Sequence, residues 1–135
     1  MMKWIAYGLA LVCSALALML PWAHYGGMSF WLTRIPGWPV YVAGAVVLHA
    51  CTWWNTVAGR VLAVAGGVIA LVTAFVLLLR YDDAAVFFDG PAIPAVAPVM
   101  GLGGILAVAG ALLNLVLVVT RMSAKSSAES RAHTG

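Results

Sequence analysis

Charge in this chain is confined to the gaps between four long apolar runs, and nothing else restricts the possible folds so strongly. The runs cover residues 4–20, 40–58, 61–79 and 99–120; each is 17 to 22 residues long and free of Asp, Glu, Lys and Arg. The hydrocarbon core of a bilayer is about 30 Å thick, so a spanning helix needs ~20 such residues. Inside lipid every backbone polar group must be satisfied within the protein, which favours helices over irregular chain. The runs therefore predict an all-α integral membrane protein: a four-helix transmembrane bundle of two antiparallel hairpins. The outer loops fall at 21–39 and 80–98, and residues 122–135 are expected to form a disordered cytoplasmic tail. Only 8% of the residues are charged, against ~25% in soluble domains. The net charge of +3 is too small, and too tied to helix ends, to suggest nucleic acid; the expected surroundings are the lipid bilayer.

Orientation follows from the basic residues, which collect on the cytoplasmic side. With the N-terminus inside, Lys3, Arg60, Arg121, Lys125 and Arg131 face the cytoplasm, while Arg34 and Arg80 face out beside Asp82, Asp83 and Asp89. This favours N-in, C-in, with a tight inner turn around Gly59 and Arg60. The first run is long for a signal sequence, and its small residues Ala15 and Ala17 lie inside it rather than after it, so a retained helix is expected. Arg outnumbers Lys, and Ala, Val, Gly and Leu dominate. That composition suggests a GC-rich bacterial gene and hence a bacterial plasma (inner) membrane. Trp4, Trp53 and Trp54 are expected as anchors at the inner interface, and Trp22, Trp38 and Tyr81 at the outer one, because each ring has an apolar body and a polar edge.

Helix association in lipid relies on close backbone approach and interhelical hydrogen bonds. Small residues recur at four-residue spacing in three runs: Ala6, Ala10 and Ser14; Gly66, Ala70 and Ala74; Gly103, Ala107 and Ala111. These stripes predict narrow helix–helix gaps and argue against a wide aqueous pore. The first outer loop is rich in aromatic and aliphatic residues and is expected to lie in the interface or over the bundle mouth. Pro98 is expected at the first position of the fourth helix, where its missing N–H costs little.

His49 is the one titratable group of acid–base interest deep in a run, and such residues are functional candidates by default. At 1.5 Å per residue it lies ~14 Å below the outer end of its helix. Cys13, Ser14 and Thr73 come out at similar depth and are its expected partners. Asn114, at about 22 Å, is expected to bond on its own level. A second cluster, of ion pairs or weak metal ligands, is expected among His24, Arg34, Asp82, Asp83 and Asp89, in no known metal-ligand spacing. His24 and His49 lie too far apart in depth to share a haem iron, so no cofactor is expected. Cys13 and Ser14 have no matched base and orienting group in sequence, so an enzyme is not expected.

Two functions fit these features. One is an accessory or scaffolding subunit of a larger cell-envelope or respiratory membrane complex, with a membrane protein partner or a homo-oligomer expected and the apolar outer loop covering that partner. The other is a small binding or transport protein for a lipid, quinone or other hydrophobic ligand near His49. The charge-free, proline-free run interiors disfavour ion-coupled transport.

Overall fold

A computed structural model describes residues 1–88 and 96–134. The chain runs α1 (Met2–Met19), β1 (Ala23–Tyr25), β2 (Met28–Phe30), a 3₁₀ turn (Leu32–Arg34), α2 (Trp38–Thr52), α3 (Val57–Leu79), a second 3₁₀ turn (Arg80–Asp82), α4 (Ala84–Phe87), β3 (Pro98–Met100) and α5 (Leu102–His133). It is mostly helical. Among the described residues, three segments are long and apolar enough to cross a membrane: Met2–Met19, Val57–Asp82 and Leu102–His133. The second expected span is shorter than its apolar run. α2 has 15 residues, or about 22 Å of helix, against a ~30 Å hydrocarbon core.

The ends of α2 account for its length. Gly37 precedes it with φ 94°, and Pro39 occupies its first turn, where proline fits best. Its far end stops at Thr52 because Thr56 starts the next helix: the Thr56 hydroxyl accepts the backbone N–H of Gly59 at 3.1 Å, an N-cap. The inner turn therefore occupies residues 53–56, and Gly59 and Arg60 lie in the first turn of α3.

The first outer loop carries secondary structure that an all-α reading omits. β1 and β2 pair antiparallel with Tyr25 opposite Met28, leaving Gly26-Gly27 as a two-residue turn. Gly26 takes φ 61°, which only such a turn residue adopts without strain. β3 pairs with the other edge of β1, giving the order β2-β1-β3. Pro98 thus belongs to a strand, and the last helix starts four residues later, at Leu102. Trp22, Tyr25, Leu32 and Ile35 are buried beneath this cap. Tyr25, Phe30, Phe87 and Phe88 pack ring against ring, with centroids 4.9–5.8 Å apart.

The sheet sets the register of α1 against α5. The Gly101 N–H donates to the Trp22 carbonyl at 2.9 Å and the Gly103 N–H to the Pro21 carbonyl at 3.0 Å. α1 packs on α5, α5 on α3, and α3 on α2. The small-residue stripes lie at these contacts, with Ala10, Ser14, Gly66, Ala70, Ala74, Gly103, Ala107 and Ala111 all buried. α2 and α3 approach most closely at Gly44 and Gly66, where an added Cβ would meet backbone atoms of the other helix at 2.8–3.0 Å.

α5 does not stop at the membrane boundary. It runs through the Ser/Ala-rich segment to His133, where a disordered tail was the expectation. Residues 111–133 contain no Gly or Pro, and Lys125 and Glu129 lie 3.9 Å apart one turn from each other. Local propensity therefore continues the helix, although its last turns are exposed.

Candidate functional site: a polar cluster beneath an apolar groove

Helix register brings His49, Ser14, Asn114 and Thr52 together. His49 Nε2 is 3.0 Å from Ser14 Oγ, and His49 Nδ1 is 2.9 Å from the Asn114 amide. The Thr52 hydroxyl donates to the Leu48 carbonyl at 2.5 Å and lies 3.5 Å from the Asn114 amide. Three separate helices, α1, α2 and α5, thus share one polar network. Asn114 is 1% exposed and Ser14 8%, so each depends on a protein partner.

Hydrogen directions can be assigned from Thr52. Its single hydrogen is committed to the Leu48 carbonyl, so towards Asn114 it can only accept. The amide then turns its NH₂ to Thr52 and its oxygen to His49, an orientation that heavy-atom positions alone do not distinguish. His49 donates from Nδ1 to the Asn114 oxygen, and Nε2 accepts the Ser14 hydroxyl hydrogen. Every member is satisfied with a neutral imidazole.

The arrangement has the order nucleophile, base, orienting amide, a pairing the sequence reading found no sign of. Acyl transfer also needs donors aimed at a developing oxyanion. The backbone N–H groups of Ser14 and its neighbours are spent inside α1 and are not free for that role.

Sequence depth misplaced two members. Asn114 was expected on its own level because α5 was counted from residue 99. Counted from Trp38 and Leu102, His49 and Asn114 lie about 17 and 18 Å along their helices, which is the same layer. Thr73 is half-buried on α3 and is not among the partners of His49. Cys13 is partly exposed beside Ser14, and Cys51 is buried and free. Thr52 was missed, although its place one turn after Leu48 is a common back-bonding position.

Beside this cluster α1 and α2 leave a gap between them. The space between them is a groove of about 380 Å³ lined by Leu11, Leu18, Val42 and Ala45, with Ser14 and His49 contributing its polar atoms. Trp22 and Tyr41, 5.7 Å apart, pack edge to face near the sheet end. Trp4 and Trp53, 5.3 Å apart, close the opposite end. Near that second pair a smaller cavity of about 130 Å³ is lined by Tyr7, His49, Thr52 and Asn114, and it adjoins a chamber of about 280 Å³ bordered by Lys3, Tyr7, Asn55 and Arg121.

The expected outer cluster does not assemble among the described residues. His24 Nδ1 pairs with Ser29 Oγ at 3.1 Å across the hairpin, which occupies it locally. Lys125–Glu129, on α5, is the one ion pair among the described residues, so Arg34, Asp82 and Asp83 are not bridged to one another. No group of three metal-ligating side chains occurs among the described residues. Asp89, with the turn expected at Asp89-Gly90, lies outside them. Asp82 and Asp83 act on a different neighbour. Burial, and after it these two carboxylates, hold the Tyr25 phenol above its ordinary value of 10.0, and its hydroxyl donates to the Tyr81 carbonyl at 2.9 Å.

The aromatic anchors divide. Trp4, Trp53 and Trp54 are 57–65% exposed, as interfacial residues are, and Trp38 and Tyr81 are half-buried. Trp22 is instead a core residue, 1% exposed. Its indole N–H donates to the Ala17 carbonyl at 2.7 Å, one of the orphan carbonyls in the last turn of α1. Comparison of the chain with protein-family models, with curated proteins and with solved structures finds no match.

Proposed function

We propose that this chain is a small binding protein of a bacterial plasma membrane, with four spans, N-in and C-in, whose ligand is a lipid-soluble molecule held in the groove between α1 and α2. The observation that carries the reading is the groove itself: an apolar cleft with one hydrogen-bonding pair, Ser14 and His49, at its base. Ligand sites are mostly apolar with a few placed polar groups, and a lipid hydroxyl, donating to the remaining lone pair of Ser14 Oγ, has the chemistry to meet that pair. α2 completes the fourth span if the bilayer thins or the flanking Trp residues reach into the interface, an adjustment of modest cost. The reading is of binding without catalysis.

Retention of lipid-soluble compounds tests it. The chain, purified in mild detergent, is loaded with a diacylglycerol and compared with Ala45→Phe, which fills the groove, and His49→Leu, which removes its polar contact. Retention by the parent chain and loss in Ala45→Phe is the expected outcome; equal retention in all three defeats the proposal.

An accessory role in an envelope or respiratory complex is the second reading. The loop that was expected to cover a partner instead buries Leu32 and Ile35 in its own cap, but Met28 and Trp31 remain 52% and 49% exposed. Copurification of a fixed-stoichiometry protein partner, lost on Trp31→Ser, distinguishes it.

A further inference from the structure

We propose that the chamber at the basic end of the bundle is a site for the phosphate group of an anionic lipid, whose chain continues toward the His49 groove; this deepens the ligand-binding reading and rests on it.

The first observation is uncompensated charge. Lys3 and Arg121 border the chamber, and Arg60 joins Arg121 and Tyr7 around a small gap beside it. None of the three has a carboxylate within ion-pair distance among the described residues. Asp82 and Asp83 follow α3 at the far end of that helix from Arg60, and Glu129 lies out along α5 beside Lys125. Cations gathered without an acid are complementary to an anion, and arginine suits phosphate through its planar fork.

The second is that Arg121 is held rather than free. Its guanidinium carbon sits 6.0 Å from the centre of the Tyr7 ring, within cation–π range, and one of its N–H groups donates to the Thr52 carbonyl at 3.5 Å. These contacts leave most of its five donors unspent.

The third is independent of charge. The Tyr7 hydroxyl is the one buried side-chain polar atom without a hydrogen-bond partner among the described residues. Buried hydroxyls are nearly always paired, so this one marks a place where an acceptor belongs. A phosphate oxygen between Arg121 and Tyr7 supplies that acceptor.

Continuity selects a lipid over a free anion. Tyr7, Trp4, Thr52 and Trp53 line both the basic chamber and the smaller cavity. Leu11 and His49 line both that cavity and the apolar groove. A charged head in the chamber therefore has an apolar path for its chain, which inorganic phosphate would leave empty.

The test is native mass spectrometry of the delipidated full chain, titrated with phosphatidylglycerol, with diacylglycerol of the same acyl chains, and with inorganic phosphate as competitor. Phosphatidylglycerol is expected to bind about tenfold or more tightly than diacylglycerol, the effect of one or two charge-assisted hydrogen bonds. Arg121→Gln and Tyr7→Phe should each remove about tenfold, whereas Arg131→Gln, an equal change of charge farther along α5, should leave binding as it was. Tyr7→Phe keeps the ring and its packing, so its effect is not one of misfolding. Equal binding of the two lipids, or an equal loss in Arg131→Gln, overturns the headgroup site while leaving the groove reading intact. Displacement by inorganic phosphate at concentrations that leave diacylglycerol binding unchanged overturns the lipid assignment. Failure of every lipid to bind overturns both proposals.

Discussion

Replacing His49 with leucine separates a structural role for the polar cluster from bystander contact. The imidazole bridges Ser14 on α1 and Asn114 on α5 at 3.0 and 2.9 Å. The substitution leaves two orphans of unequal consequence. Ser14 can turn its hydroxyl back to the carbonyl one turn earlier in its own helix, so its loss is small. Asn114, 1% exposed, keeps only the 3.5 Å contact to Thr52 and leaves its oxygen unpaired, at about 1–2 kcal/mol. Leucine recovers little by burial because lipid is as apolar as the protein interior. Asn114→Leu should cost a similar amount by stranding the Nδ1 hydrogen of His49. In His49→Leu/Asn114→Leu neither orphan exists, and the cost should fall to about that of one single change. The coupling is then about 1 kcal/mol, within the span measured for interhelical hydrogen bonds in membranes. Equilibrium unfolding in mixed micelles, followed by far-ultraviolet ellipticity, measures all four variants. Additivity to within about 0.4 kcal/mol would refute the shared network.

Three further outcomes follow from other parts of the chain. Gly44→Ala places a methyl 2.8 Å from the backbone nitrogen of Ala70 and should cost about 2 kcal/mol or more as α2 and α3 separate. Gly8→Ala meets nothing within 4 Å and should be neutral or slightly stabilising; thermal melts in detergent that fail to distinguish the two would contradict the packing. Trp22→Phe keeps the ring contact to Tyr41 but strands the Ala17 carbonyl, an expected loss of about 1–2 kcal/mol, read from the same melts. The Tyr25 phenol should ionise above 10.0, held up first by burial and then by Asp82 and Asp83. Because its folded value is raised, its contribution is fully present below 10.0 and is lost as pH rises through the folded value. Tyrosinate absorbance compared with Tyr25→Phe gives that midpoint, and a midpoint at or below 10.0 removes the proposed environment.

What could be read from the chain divides along physical lines. Helices in lipid are dictated by backbone satisfaction and run length, so α1, α3 and most of α5 were legible from charge-free runs alone. The small-residue stripes pointed to the right faces because close approach leaves no alternative to Gly, Ala and Ser. Apolar runs record solubility in lipid and say little about where a helix starts. Val99, Met100, Trp53 and Trp54 are as apolar as their neighbours, yet β3 and the inner turn claim them. The hairpin did have a signal in Tyr-Gly-Gly-Met, a two-glycine turn between two alternating triplets, but aromatic side chains at a membrane boundary read equally well as anchors. Trp22 shows how that ambiguity resolves: the indole N–H finds the orphan carbonyl at the end of α1, and burial follows from the hydrogen bond. The polar cluster was half legible for the same reason. Ser14 was one of several partners that depth offered to His49, and the two lie 3.0 Å apart, whereas Asn114 was placed a turn too deep by counting α5 from residue 99. Side-chain partners depend on register to within one turn, about 5.4 Å, and in this protein the register of α1 against α5 is set by the backbone hydrogen bonds of Trp22 and Pro21 to Gly101 and Gly103. A site shared by three helices thus depends on a three-stranded cap about 9 Å away along α1 and about 17–18 Å along α2 and α5, so loosening the cap at Gly101 should disturb His49 before it unfolds any helix.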